Sequence, residues 1–201
     1  MEILTQKEIL QAKEIIKQVK RIAVVSHYNP DGDAVGSSLA FYNFFKARNI
    51  DITVILPNAL PDFLSWMPGS EHIIIAEENK KKATEIITEV DLLFVVDMNA
   101  PHRSGPLLEN VITQTKAKKI LIDHHLLPDT NFDVTISYSH ISSTSEIVLR
   151  LLIQLGHFDK IDTVIAECIY TGMMTDTGVF TYNSNDPEVF EIISLLIKKG
   201  I

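Results

Sequence analysis

Apolar residues in this chain fall into two alternating patterns. Short unbroken runs at 22–25, 52–56, 92–96 and 119–122 read as strands, with a further short one at 72–75. Between them, apolar positions recur at helical spacing. Ile9, Ala12, Ile15, Ile16 and Val19 mark a helix over 3–18, and Val35, Leu39, Phe41, Phe44 and Phe45 one over 33–48. Further helices are expected at 80–88, 107–115, 145–155, 161–172 and 187–199. Residues 61–70 read as a loop with a little helix, and the stretch from the Ile120 strand to Ser142 as irregular. A strand with one wet face alternates apolar and polar residues; these runs do not, so both of their faces are covered. The pattern predicts an α/β domain of three layers, a mainly parallel sheet flanked by helices.

Composition narrows this picture. The length of 201 residues is slightly long for one domain and short for two. With no repeat, low-complexity segment or linker tract, one domain over residues 1–201 is the economical reading. No apolar stretch is long enough to cross a membrane, and residues 1–11 lack a signal-peptide layout. The single cysteine, Cys168, excludes an internal disulfide and lies in an apolar run, as expected of a core residue in a cytoplasmic protein. A net charge of −8 speaks against broad binding to duplex nucleic acid. A small anionic substrate stays open, because a bound divalent cation dominates the charge of its own site.

Candidate chemistry gathers where strands end. The first run leads into Ser26-His27-Tyr28-Asn29-Pro30-Asp31-Gly32-Asp33, the third stops at Asp97, and the fourth leads into Asp123-His124-His125. Asp176 stands at a later helix end. A parallel sheet collects the carboxyl ends of its strands at one edge, so these groups can converge. Singly, each has a bland reading: Asp31 as a turn residue, Asp33 as a helix N-cap, Asp97 as a strand end. Jointly they read as a metal centre. Imidazole and carboxylate donors without thiolate suit Mn²⁺, and two such ions can clamp both oxygens of a phosphoryl displacement. His72, His140 and His157 are expected at the surface or in packing, and His102 in a solvated loop.

His27-x-x-x-Asp31-x-Asp33, Asp97, Asp123-His124-His125 and Asp176-Thr177-Gly178 resemble the four motifs of the DHH phosphoesterase superfamily, across about residues 21–182. That superfamily includes RecJ-type exonucleases, family II inorganic pyrophosphatases, exopolyphosphatases and oligoribonucleases. The resemblance implies His27, Asp31 and Asp97 on one Mn²⁺, and Asp33, Asp97, His124 and Asp176 on a second, with Asp97 bridging. It implies attack on phosphorus by hydroxide held between the ions. His125 would stabilise the phosphate or assist the leaving group, and Asp123 would orient the histidines.

Asp97-Met98-Asn99-Ala100-Pro101-His102-Arg103 and Ser142-Ser143-Thr144-Ser145-Glu146 are similar to segments of the oligoribonuclease branch. Short oligonucleotides, linear dinucleotides or 3′-phosphoadenosine 5′-phosphate are the substrates this implies. Ser143 and Glu146 have the spacing of a capping box, the alternative being a helix N-terminus that faces phosphate. Arg103 either grips a phosphate or forms a structural salt bridge. The branch normally carries a smaller C-terminal substrate-binding domain, and nothing after Asp176 resembles it. The chain is therefore expected to be the catalytic half alone. Pyrophosphate or polyphosphate hydrolysis, and a metal-binding module without turnover, are the alternative functions. Self-association through the helices is a further implication of the family.

Overall fold

The computed structural model describes residues 2–201. Arg21–Val25 (β1), Asp51–Leu56 (β2), Ile74–Ile75 (β3), Leu92–Val96 (β4), Lys118–Asp123 (β5) and Val134–Ser137 (β6) form one sheet. Its order is β3-β2-β1-β4-β5-β6, and every neighbouring pair is parallel. The helices are Gln6–Ile16 (α1), Gly32–Lys46 (α2), Lys80–Glu89 (α3), Glu109–Gln114 (α4), Thr144–Gln154 (α5), Thr163–Asp176 (α6) and Pro187–Ile197 (α7).

Each unbroken apolar strand feeds both layers. On β4, Leu92, Phe94 and Val96 join the core packed by α2, α5, α6 and α7, and Phe94 stacks on Phe41 of α2. Leu93 and Val95 join the opposite core, under α3 and α4. Phe44, Phe45 and Cys168 are buried in the first of these, as the periodicity requires. No helix among the described residues is long and apolar enough to cross a membrane.

The strand that the pattern missed is β6, inside the stretch read as irregular. Only Val134 and Ile136 are buried there, and two inward residues on an edge strand are too few to show a period. Asp133 fastens this edge by accepting from Lys118 Nζ at 2.7 Å and from the Lys119 amide at 2.9 Å. The helix expected over 161–172 continues to Asp176, and the strand expected over 72–75 shrinks to two residues after a 3₁₀ turn.

Two features of this fold set the position of a site. Strand order reverses between β1 and β4, and an open parallel sheet has its crevice at that switch point. On one face, α2 and α6 approach unusually closely. A Cβ on Gly36 would stand 2.6 Å from the Cys168 carbonyl oxygen and 2.9 Å from the Gly172 amide nitrogen. Only glycine lets the two helix backbones touch in this way.

Candidate metal centre

His27 follows β1, Asp97 follows β4 and Asp123 ends β5, so adjacent strands across the switch point deliver all three. Asp31 and Asp33 open α2, and Asp176 closes α6. The close contact between those helices thus brings acidic residues from distant segments to the sheet edge.

Two sets of donor atoms result. In one, His27 Nε2 lies 3.4 Å from Asp97 Oδ2 and 3.9 Å from Asp31 Oδ1. In the other, His124 Nε2 lies 3.5 Å from Asp176 Oδ2, 3.7 Å from Asp97 Oδ1 and 4.0 Å from Asp33 Oδ2. Each set could hold a cation, and Asp97 turns one oxygen toward each. Asp97 adopts a left-handed conformation with φ 56°, anchored by its amide on the Ile122 carbonyl at 3.0 Å. Aspartate tolerates that region better than most residues, and such strain gathers at functional sites.

The histidine tautomers are set by the backbone. His27 Nδ1 lies 2.9 Å from the Tyr28 carbonyl and His124 Nδ1 3.2 Å from the Ile141 carbonyl. A carbonyl accepts only from N–H, so in the neutral rings each Nε2 keeps its lone pair for the donor sets.

The field at the site calls for positive charge. Asp33 and Asp97 are buried, and among the described residues no Lys or Arg pairs with Asp31, Asp33, Asp97 or Asp176. Burial, then the charges of Asp97 and Asp176, hold the Asp33 carboxyl well above its ordinary range. Asp176 is raised chiefly by burial and by Asp97. Burial alone would lower the His27 imidazole; the nearby carboxylates of Asp31 and Asp97 outweigh it and raise the group to about 10. A divalent cation in place of that proton answers the same demand. The donor chemistry therefore fits resident divalent ions.

Several sequence expectations need correction. The N-cap of α2 is Asp31, not Asp33: its Oδ1 accepts from the Asp33 and Ala34 amides at 3.0 and 3.1 Å. Asp123 orients one histidine rather than two. Its Oδ1 meets His125 Nδ1 at 2.7 Å and its Oδ2 accepts from the His125 amide at 3.0 Å. His124 is held by Ile141 instead.

Ser143 does not reach substrate space. It is buried, and its hydroxyl caps α5 by accepting from the Glu146 amide at 3.1 Å. The reciprocal half of the capping box is absent, because the Glu146 carboxylate binds Ser142 and Arg150. Nor does the α5 N-terminus face a phosphate space. The amides of Thr144 and Ser145 donate to the two oxygens of Asp33 at 2.6 and 2.8 Å. Thr144 and Ser145 are the site residues that the sequence reading missed. Their helix start was legible, but the anion it would meet was not.

Beside the donor sets opens a cleft of about 830 Å³. Its lining includes Asn99, His102, Arg103, His124, His125, Ile141, Ser142, Glu146, Asp186 and Val189. Arg103 has no salt-bridge partner among the described residues, and it lies close enough to His125 to oppose that ring's protonation. His102 and His140 are exposed as expected, but both border this cleft.

The fold and site together describe an α/β protein whose sheet crevice gathers carboxylates and imidazoles for divalent cations. A family model described as DHH family, N-terminal domain, matches residues 21–173, and the chain belongs to that family. It is 28% identical over 190 residues to the bifunctional oligoribonuclease and PAP phosphatase NrnA of Thermus thermophilus, covering 94% of this chain and 53% of that protein. It is 26% identical over 196 residues to the cyclic-di-AMP phosphodiesterase GdpP of Bacillus subtilis, covering 94% and 29%. The crystal structure of an exopolyphosphatase-related protein from Bacteroides fragilis superposes with a TM-score of 0.98 at 45% identity, covering 100% of this chain and 59% of that one. The chain spans about half the length of the first of these curated relatives, and less of the second.

Proposed function

We propose that this chain is a divalent-metal phosphoesterase that cleaves phosphodiester or phosphomonoester bonds of short oligonucleotides or nucleotides. The observation that carries the reading is the pair of donor sets sharing Asp97, with His124 of the second set lining a cleft that also presents Arg103 and His125, the latter held by Asp123. Bound divalent ions, most simply two Mn²⁺, supply Lewis acidity toward phosphoryl oxygens.

The chain's own groups do the rest. Asp123 accepts the Nδ1 proton of His125, which leaves Nε2 of this half-buried ring for the leaving-group side. The Arg103 guanidinium, with no salt bridge among the described residues, offers its fork to a non-bridging phosphate oxygen. Leu126, Ile141 and Val189 add apolar wall to the cleft, which suits a nucleoside better than a bare inorganic chain. The DHH-family relatives named for oligoribonuclease and cyclic-dinucleotide activities support this choice. The buried thiol fits a reducing, cytoplasmic setting.

A second reading, hydrolysis of pyrophosphate or polyphosphate, is favoured by the likeness to the exopolyphosphatase-related structure. The deciding assay offers Mn²⁺-loaded protein, with any further C-terminal sequence its gene encodes, a dinucleotide, 3′-phosphoadenosine 5′-phosphate, pyrophosphate and polyphosphate. Release of nucleotide or phosphate from the first two, abolished by chelator, is expected. Turnover of the inorganic substrates alone would replace the proposal with the second reading. Tight Mn²⁺ binding with no turnover of any of them would make the chain a metal-binding module.

A further inference from the structure

Thr144 stands at the first turn of α5, yet neither its amide nor its hydroxyl serves that helix. Its amide donates to Asp33 Oδ2 at 2.6 Å, and its hydroxyl donates to Asp97 Oδ1 at 2.9 Å. All three residues are buried. The N-cap role is already filled by Ser143, so the Thr144 hydroxyl is not needed to start the helix. A threonine hydroxyl has one proton to give, and here it goes to the carboxylate shared by the two donor sets.

That carboxylate needs outside restraint. The terminal torsion of aspartate is broad, so Asp97 by itself can turn both oxygens toward one cation. In the structure its oxygens are split, Oδ2 to the His27 side at 3.4 Å and Oδ1 to the His124 side at 3.7 Å. The bond from Thr144 falls on Oδ1 alone, while the same residue's amide grips Asp33 of the second set. We propose that Thr144 is a positioning residue that locks Asp97 in its bridging orientation and thereby fixes the spacing between two ion sites. This rests on the two-ion reading above.

Thr144→Val isolates the bond, because it keeps the side chain's shape and the amide on Asp33 while removing the hydroxyl. Calorimetric titration with Mn²⁺ and electron paramagnetic resonance of the loaded protein are the readouts. Wild type should bind two ions and show an exchange-coupled pair. Thr144→Val should bind the first ion normally, bind the second about 10–100-fold more weakly and lose the coupled signal. Thr144→Ser, which retains the hydroxyl, should restore both. If the valine variant does not fold, Thr144→Ala replaces it, with apo melting curves as the check. Wild-type affinity and coupling in the variant lacking the hydroxyl would overturn the inference, as would a serine variant no better than valine. Wild type that binds fewer than two ions would defeat the two-ion reading itself, a result seen before any variant is made.

Discussion

Gly36→Ala adds one methyl group to α2 where it meets the α6 backbone, and tests whether helix packing assembles the site. The new Cβ would lie 2.6 Å from the Cys168 carbonyl oxygen, 2.9 Å from the Gly172 nitrogen and 3.0 Å from the Gly172 Cα. These are backbone atoms and cannot swing aside. Ordinary contact begins at 3.4 Å, so α6 must retreat by about 0.8 Å. Overpacking of this kind costs about 1–3 kcal/mol, and backbone neighbours place it at the upper end. Replacing a mid-helix glycine with alanine returns about 1 kcal/mol of helix propensity. The net loss is about 2 kcal/mol, which lowers Tm by about 4–8 °C in a domain of this size.

The retreat also carries Asp176 away from Asp33 and His124. Metal sites tolerate about 0.2 Å, so the Tm rise on adding Mn²⁺ should shrink as well. Thermal unfolding followed by circular dichroism, with and without Mn²⁺, reads both effects. An unchanged or higher Tm in the variant, with the full Mn²⁺ increment, would show that the helices part freely. The account of how Asp33 and Asp176 converge would then be wrong.

Two further outcomes follow from buried groups. Arg150 is buried between Glu146 and Glu188, donating to the former from Nε at 2.8 Å and to the latter from Nη1 at 2.8 Å. Arg150→Met should cost about 3–5 kcal/mol in urea unfolding, because Glu146 is left buried without its cation, and adding Glu146→Leu should recover most of that. A single-variant loss below 1 kcal/mol would contradict the burial of this pair. Burial pushes the Cys168 thiol up to about 12, so a maleimide reagent should label it only in denaturant. Rapid labelling of the folded protein would place the residue outside the core.

Most of the layer order was legible because each central strand is an unbroken apolar run and each long helix shows its period. The strand β6 was not, since an edge position asks for only two buried residues. The donor residues were legible as a set, because histidines and aspartates recur where strands stop. Their division of labour was less so. Asp31 and Asp33 sit two residues apart, and nothing local says which of them caps the helix.

Sequence by itself determined the chemistry available: a parallel α/β frame and a group of carboxylates and imidazoles at its crevice. Periodicity and side-chain type are local properties, so one chain suffices to read them. Tertiary structure decided what each group meets. The start of α5, visible as Ser143-Thr144-Ser145-Glu146, reaches a carboxylate 111 residues away in Asp33 and another 47 residues away in Asp97. A helix N-terminus attracts any anion, and only packing brings these two to it in place of a free phosphate.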